Sequence, residues 1–202
     1  MPTPKTPSRK NDPAGLRRRV LDVAAHAFQS TGYAATSVHD LVREAGVTGG
    51  ALHHHFPSKK ALALAVISER VSAEVTETWI ETVRAAPSAA EGILTVFERT
   101  IAHLDTRGAV QGCPLGNLTL ELALADVEFR DALAAEYAAW RGAIAERLRQ
   151  DGAAYVQRDP DGFATVVVAM FSGALSIAKA EQTTDALKAC VPRLRWMMDL
   201  PA

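Results

Sequence analysis

The chain has 202 residues, of which 48% are hydrophobic and 22% are charged, and these are the values of a globular protein with room for one large domain or two smaller ones. No apolar run approaches the ~20 residues that a membrane span needs, and the N-terminus lacks the apolar segment of a secretory signal. The two cysteines, Cys113 and Cys190, are far apart and form no CxxC pair, which favours a reducing compartment. We therefore expect a cytoplasmic protein with no membrane partner.

The net charge of −1 conceals an uneven distribution. Residues 1–62 contain nine Lys/Arg and four Asp/Glu, whereas residues 63–202 contain thirteen and nineteen, and five of the six histidines lie in the first part. A basic module followed by an acidic body is typical of a nucleic-acid binder with a separate regulatory domain. The alternative is a chance asymmetry of surface charge.

Residues 1–13 contain four prolines and no apolar periodicity, so we expect them to be disordered. Their basic residues, together with Arg17, Arg18 and Arg19, form either an arm for the DNA backbone or minor groove, or a solvated tail. From Ala14 to Thr31 the apolar residues follow helical spacing, and Gly32 closes this helix.

Residues 36–60 have the pattern of two short helices joined by a tight turn. Thr36 is the expected N-cap of the first helix, and Gly46 allows the positive φ of the turn. Thr48 caps the second helix, which runs from Gly49 to His55, and Ser58 caps the next one after Pro57. This pattern predicts a helix-turn-helix motif at residues 37–56 within a DNA-binding domain at residues 14–62, with the second helix reading the bases. The alternative is an ordinary helical corner of a core.

The second helix has two further features. Gly49 and Gly50 allow close backbone approach, and helix N-terminal N–H groups suit a phosphate oxygen. Three adjacent histidines, His53, His54 and His55, point about 100° apart on a helix and cannot converge on one ion, so we expect neither a metal nor a cofactor. We expect His55 to face inward and the other two to face DNA.

The stretch from Arg17 to Leu62 resembles the DNA-binding domain of the TetR/AcrR family of transcriptional regulators. The resemblance is carried by Ala27-Phe28, Gly32-Tyr33, Thr36-Ser37, Ala45-Gly46-Val47-Thr48, Gly50, Leu52, His55-Phe56 and Lys59. It implies that Thr48, His53 and Lys59 contact phosphates and that residues from Thr48 to His54 face bases. The family commonly has Tyr at this position. Because this chain has His53 there, the contact becomes sensitive to pH. The DNA-contacting residues expected from pattern and resemblance together are Arg17, Thr36, Thr48, Gly49, Gly50, His53, His54 and Lys59.

The rest of the chain, residues 63–202, reads as a helical body. Apolar periodicity and capping residues predict helices over about 59–84, 89–105, 114–125, 126–150, 161–181 and 184–198, and Pro192 should kink the last one or delay its start. No strand pattern is present, so the predicted fold is all-α with two domains. The segment from Cys113 to Leu118 resembles the C-terminal domains of LmrA/YxaF-like members of the family.

The body supplies candidates for two further sites. Aromatic side chains with few polar groups suit a small hydrophobic or aromatic ligand, although any one of them also suits a packed core. The candidates are Trp79, Phe97, His103, Cys113, Asn117, Tyr137, Trp140 and Phe171, and we expect the ligand between the helices of Phe97, Asn117 and Trp140. Cys113 is either a redox sensor or, more simply, a buried thiol. The apolar stripes of the last two helices predict a dimer interface at Ala174, Leu175, Leu187 and Leu194.

The sequence contains no Gly-rich phosphate loop after a strand, no GxSxG, no HExxH and no paired Cys/His set, which argues against an enzyme. A DNA-packaging protein that merely dimerises is the other alternative. The hypothesis that fits most of the pattern is a homodimeric repressor that binds pseudo-palindromic operator DNA and is released by a small-molecule effector.

Overall fold

The structure is a computed structural model that describes residues 12–152 and 159–200, and in these ranges it contains nine helices and no strand. Most of the expected disordered arm, residues 1–11, and most of the loop expected from Tyr155 to Pro160 lie outside the described residues. The helices are α1 (Pro13–Ser30), α2 (Val38–Ala45), α3 (Gly49–His55), α4 (residues 59–85), α5 (Ala89–Asp105), α6 (Pro114–Leu122), α7 (Val127–Asp151), α8 (Pro160–Glu181) and α9 (Asp185–Met197).

Helices α1 to α3 form a small module around a shared apolar core. Helix α1 begins one residue earlier than expected because Asp12 caps it, accepting from the Gly15 amide at 2.9 Å. Its buried side chains pack against α2, α3 and the start of α4. The turn between α2 and α3 has Gly46 at φ +63°, and the Thr48 hydroxyl accepts from the Ala51 amide at 3.2 Å. The predicted turn and cap of the second helix are confirmed.

The expected N-cap of α2 is wrong by one residue. Ser37 caps this helix, because its hydroxyl accepts from the Asp40 amide at 3.0 Å. Thr36 is 6% exposed, and its hydroxyl instead donates to the Gly32 carbonyl at 2.7 Å. Thr36 therefore fastens the chain between α1 and α2, and its hydroxyl is turned away from the surface.

Helix α4 is continuous from the DNA-binding module into the body. It consists of α-helical Lys59–Val66, π-helical Ile67–Val71, α-helical Ser72–Val75, π-helical Thr76–Ile80 and α-helical Glu81–Ala85. Every junction residue between these segments keeps right-handed helical angles, so the chain does not break at the expected domain boundary after Leu62. The π-helical turns were not expected; such turns are often found at functional sites.

The body is built from α4 to α9, and its long helix α7 packs against both α4 and α8. Four aromatic side chains from α4, α5, α7 and α8 meet at its centre. Trp79 lies with its ring centroid 4.8 Å from Phe171, 5.1 Å from Trp140 and 6.1 Å from Phe97. Edge-to-face geometry of this kind adds to the stability of a buried aromatic cluster.

One expectation for the last helices needs correction, and of the two effects expected of Pro192 the delayed start is not seen. Among the described residues, α8 is long and apolar enough by composition to cross a membrane, contrary to the sequence reading that no such run exists. It packs along α7 and α9 with part of its surface buried, as a core helix does. Helix α9 begins at Asp185 and includes Pro192, so the proline does not delay its start.

Candidate functional site

The exposed face of α3 is the first part of the site. Leu52 and the following Phe56 are buried against the module core, which turns the opposite side of this short helix outward. Thr48, Gly49, Gly50, His53 and His54 are all exposed, and nothing lies within 4 Å of the place where a side chain would start on either glycine. His55 is half-buried beside Phe56, as expected.

Two neighbouring lysines at the start of α4 have different surroundings. The Lys59 ammonium lies 4.3 Å above the Tyr33 ring and donates to the Ala34 carbonyl at 3.3 Å, and its partial burial lowers the pKa of the group. It faces no carboxylate within ion-pair distance among the described residues. Lys60 instead pairs with Asp126 at 2.6 Å and Glu128 at 2.7 Å, and these bonds raise its pKa. The Lys59 ammonium thus has no carboxylate partner among the described residues, whereas Lys60 connects the module to the body through ion pairs.

Arg17 is not a free cation of the α1 surface. Its guanidinium forms two bonds with the Glu69 carboxylate, at 2.6 Å and 2.5 Å, and lies 5.2 Å from the Phe56 ring. The hydrogen bonds from Arg17 are also the main cause of the lowered pKa of Glu69. The side chain thus ties α1 to α4, and its contact with DNA stays a prediction. Arg18 and Arg19 beside it are exposed.

A cavity of about 740 Å³, partly open to solvent, lies in the body and is bordered by α4, α5, α7, α8, the start of α6 and the segment that leads into it. Five of the eight predicted ligand residues line it: Trp79, His103, Cys113, Trp140 and Phe171. The other three do not. Phe97 is a fully buried member of the aromatic cluster, Asn117 bonds to backbone and side chains beside the cavity, and Tyr137 stacks on Trp140. The cavity borders the three helices between which we expected the ligand, through Thr100 of α5, Leu115 of α6 and Trp140 of α7, but it lies on the side of Trp79 and His103 rather than at Phe97 and Asn117.

Several polar residues of the cavity wall were missed by sequence reasoning: Gln29, Glu74, Glu77, Arg99 and Arg107. Periodicity assigns charged residues to solvent, so no sequence signal distinguishes a charged side chain at a cavity mouth from one on an open face. The surrounding protein raises the pKa of Glu74, mainly by desolvation, and Arg107 acts in the opposite direction.

Cys113 has the surroundings of a structural thiol. It is the N-cap of α6, where its sulfur accepts from the Gly116 amide at 3.5 Å. Burial raises the pKa of the thiol, so the reactive thiolate is disfavoured. These contacts favour the structural alternative over the redox sensor.

The four predicted dimer residues lie inside the single chain. Ala174, Leu175, Leu187 and Leu194 are between 0% and 6% exposed, because they face the core of their own protomer. A different stripe of the same helices is exposed, and it is made of apolar or small residues: Val166, Ala169, Gly173, Ile177 and Ala180 on α8, and Ala189, Pro192 and Trp196 on α9. Trp196 is 76% exposed and Ile177 49% exposed, which is unusual for large apolar side chains.

Comparisons with known proteins agree with this geometry. Residues 20–66 match the family model described as bacterial regulatory proteins of the tetR family. Residues 89–192, about half of the chain, match the C-terminal domain of LmrA/YxaF-like transcriptional regulators. The chain belongs to the TetR family. Its body is of the LmrA/YxaF-like type, and the protein is a DNA-binding transcriptional regulator.

Similar proteins extend over nearly the whole chain. The HTH-type transcriptional regulator LmrA of Bacillus subtilis is 28% identical over 182 residues, which cover 88% of this chain and 95% of LmrA. The A-factor receptor protein of Streptomyces griseus is 26% identical over 92% of this chain and 62% of its own. Among solved structures, reduced NemR of E. coli has a TM-score of 0.83 at 19% identity, covering 93% of this chain and 99% of NemR, and supports the fold.

Proposed function

We propose that this TetR-family regulator is a homodimeric repressor that binds a pseudo-palindromic operator and leaves it when a small, mostly apolar effector fills the cavity of the body. The observation that carries the proposal is that α4 connects an exposed, unobstructed reading helix to a cavity of small-molecule size in the body. One end of α4 follows α3, and its middle forms the cavity wall.

Base reading belongs to α3. His53 and His54 are its exposed large side chains, and Gly49 and Gly50 let the backbone come close to the groove. Lys59 and the exposed Arg18 and Arg19 supply cations for phosphates. We propose Thr48, Gly49, Gly50, His53, His54 and Lys59 as the principal DNA-contacting residues, ahead of Thr36 and Arg17, whose polar groups are engaged within the protein.

Dimerisation places two such helices on one DNA duplex. The exposed stripe of α8 and α9 is apolar, contains small residues that allow close helix approach, and lies on the side away from the protomer core. Two copies related by a two-fold axis would pack these helices as a four-helix bundle. Their reading helices then enter successive major grooves about 34–36 Å apart.

The effector hypothesis follows from the cavity. Its volume of about 740 Å³ is that of a small-molecule site, and its floor is formed by Trp79, Trp140 and Phe171. A relative of similar sequence is named the A-factor receptor protein, which is consistent with a ligand-binding body. We propose an uncharged or weakly acidic aromatic effector that lies against this aromatic floor.

The DNA part is tested by selecting random DNA duplexes on the purified protein and sequencing those retained. We expect an inverted repeat, with affinity that falls steeply with salt concentration. His54→Ala should change the preferred bases while the fold and the dimer remain intact. Retention without any sequence preference would contradict the proposal and favour a DNA-packaging protein.

The effector part is tested by titrating 2-naphthol and 1-naphthoic acid while tryptophan fluorescence and operator binding are followed together. Trp79 and Trp140 line the cavity and should report occupation. We expect release of the operator at the concentrations that change the fluorescence. Release only by benzyltrimethylammonium or glucose, included as cationic and sugar-like comparisons, would contradict the proposed chemistry.

A further inference from the structure

One side chain of the DNA-binding module reaches the effector cavity. Gln29 lies in the last turns of α1, yet it stands in the cavity wall beside Gln111, Gly112 and Cys113 of the strap, which we define as residues 111–113 before α6. The other lining residues come from α4 and the body. At Gln29, therefore, an occupant of the cavity would be within reach of the module that reads DNA.

The carboxamide of Gln29 is the centre of a hydrogen-bond network. Its Nε2 donates to the Gly112 carbonyl at 2.8 Å and to the Gln111 carbonyl at 3.4 Å, and its Oε1 accepts from Asn117 Nδ2 at 3.1 Å. Asn117 in turn donates to the Gln111 carbonyl at 2.9 Å and accepts from the Lys179 ammonium at 3.2 Å. One amide thus joins α1 to the strap, to α6 and, through Asn117, to α8.

The strap is held in one conformation that suits this network. Gly112 has φ +82°, and a side chain there would start 3.2 Å from Asn117 Oδ1 and 3.1 Å from the Lys179 side chain. A substituted residue at this position would be both strained and crowded. The strap carbonyls are therefore fixed acceptors that face Gln29 on one side, while the strap itself lines the cavity on the other.

The remaining polar contacts between the module and the rest of the described chain lie outside the cavity wall. Arg17 pairs with Glu69, Arg70 with Asp22, and Lys60 with Asp126 and Glu128, while Glu121 accepts from the Tyr33 and Ala34 amides. Neither partner in any of these contacts lines the 740 Å³ cavity. An effector would not touch these groups, so its first contact with the module is at Gln29.

Space for movement exists beside this network. A second cavity of about 190 Å³ lies between α1, α4 and α6, and Gln29, Val71, Glu74 and Pro114 belong to the walls of both cavities. Close-packed interfaces resist displacement, so a cavity at this junction lowers the cost of a shift of α1 relative to α6.

We propose that the Gln29 carboxamide is the positioning contact through which occupation of the cavity changes the orientation of the DNA-binding module. An occupant that displaces the strap, or takes over its carbonyl groups, breaks the bonds between α1 and residues 111–117. The module then moves relative to the body, and the two reading helices of the dimer lose their common spacing. This inference rests on the proposed effector site and assigns the residue that couples it to DNA.

The test compares operator affinity with and without an occupant in the wild type and in Gln29→Met, which keeps the length of the side chain and removes its hydrogen bonds. Two occupants are used: 2-naphthol, and a tryptophan introduced into the wall by Thr100→Trp. We expect each to weaken operator binding at least tenfold in the wild type and less than threefold in Gln29→Met. Fluorescence titration should give the same affinity for 2-naphthol, within threefold, in both proteins.

Two controls locate the effect. Ser30→Ala alters the neighbouring residue of α1, whose hydroxyl bonds only within its own helix and to Thr31, and should respond like the wild type. Asn117→Leu removes the partner amide and should reproduce Gln29→Met. An undiminished response in Gln29→Met would overturn the coupling inference alone. If neither occupant changed operator binding in the wild type, the proposed effector site would fail, and the inference with it.

Discussion

Neighbouring lysines of one helical turn illustrate how a single contact decides what a residue does. Lys59 and Lys60 have the same charge and adjacent positions at the start of α4, but only Lys60 is neutralised by carboxylates of the body. Lys59 is held against the Tyr33 ring and a backbone carbonyl, neither of which cancels its charge. These contacts orient the Lys59 side chain and leave its charge available, as a phosphate-binding lysine requires.

The lysine pair gives a prediction about salt dependence. Lys59→Ala should weaken specific and non-specific DNA binding alike and flatten the plot of log affinity against log salt by about 0.9, because one phosphate contact is lost. Lys60→Ala should leave this slope unchanged. Equal slopes for Lys59→Ala and the wild type, measured by fluorescence anisotropy from 50 to 300 mM salt, would remove Lys59 from the interface.

A second residue-scale prediction concerns two glycines that both have open space around them. Gly46 lies at φ +63° in the turn of the helix-turn-helix, whereas Gly142 lies in the interior of α7. Gly46→Ala should lower the free energy of unfolding by about 1–2 kcal/mol, since a side chain is strained in the left-handed region. Gly142→Ala should raise it by about 1 kcal/mol, since alanine favours a helix. Thermal and urea unfolding check both signs.

At the scale of elements, ion pairs fix α1 on α4. The Arg17–Glu69 and Arg70–Asp22 pairs join these helices at exposed or half-exposed positions, while the apolar face of α1 supplies the packing. Exposed pairs of this kind contribute little to stability, about 0–1 kcal/mol, so burial holds the helices together and the pairs mainly set their relative orientation.

The Arg17–Glu69 pair predicts a change of stability with pH. Because Arg17 lowers the pKa of Glu69 in the folded state, the contribution of the pair is present above the usual glutamate pKa of about 4.3 and is lost as the pH falls through the lowered folded value. Glu69→Gln should therefore cost about 0.5–1 kcal/mol at pH 7 and nothing at acid pH below that value. Glu136→Gln is the control, since Glu136 forms no ion pair in the described part of the chain. A cost of Glu69→Gln that stayed constant with pH would contradict this account.

At the scale of the whole molecule, one apolar core of the regulator extends along α4 from the DNA-binding module into the body. Leu62 and Val66 of α4 pack in the DNA-binding module, and Trp79 and Val83 of the same helix pack in the body. In the proposed function, this continuous helix carries movement of the body to the reading helix, and the exposed stripe of α8 and α9 aligns the two copies. The protomer and its partner therefore act as one DNA-binding unit in the proposed function.

The dimer gives the prediction at this scale. Ile177→Glu and Trp196→Glu should each yield folded monomers. Each substitution places a charge in the proposed interface and leaves the protomer core unchanged, because both positions are exposed. Operator affinity should fall at least a hundredfold, since one reading helix of the pair is lost. Leu120→Glu, at an 86% exposed position away from this stripe, should remain a dimer. Light scattering that showed intact dimers for Ile177→Glu and Trp196→Glu would place the interface elsewhere.

The sequence by itself determined the features that depend on a few neighbouring residues. The caps at Thr48, Ser58 and Asp126 and the turn at Gly46 follow from hydrogen bonds and backbone angles within four positions, so they were predictable. The error at Thr36 arose because two adjacent hydroxyl residues offer the same local signal, and only burial of Thr36 against Gly32 distinguishes them.

Tertiary structure decided which side of each apolar helix is covered. Helix α8 is apolar almost all round, so its sequence cannot tell Ala174 and Leu175, which face the core, from Val166 and Ile177, which face outward. The same limit applies to the cavity. Helical periodicity marks every buried-face aromatic residue alike, whether it fills the core or lines the cavity wall. The contact of Gln29 with the strap joins residues more than eighty positions apart. Only the packing of α1 against α6 brings them together, so no local sequence pattern could have predicted this contact.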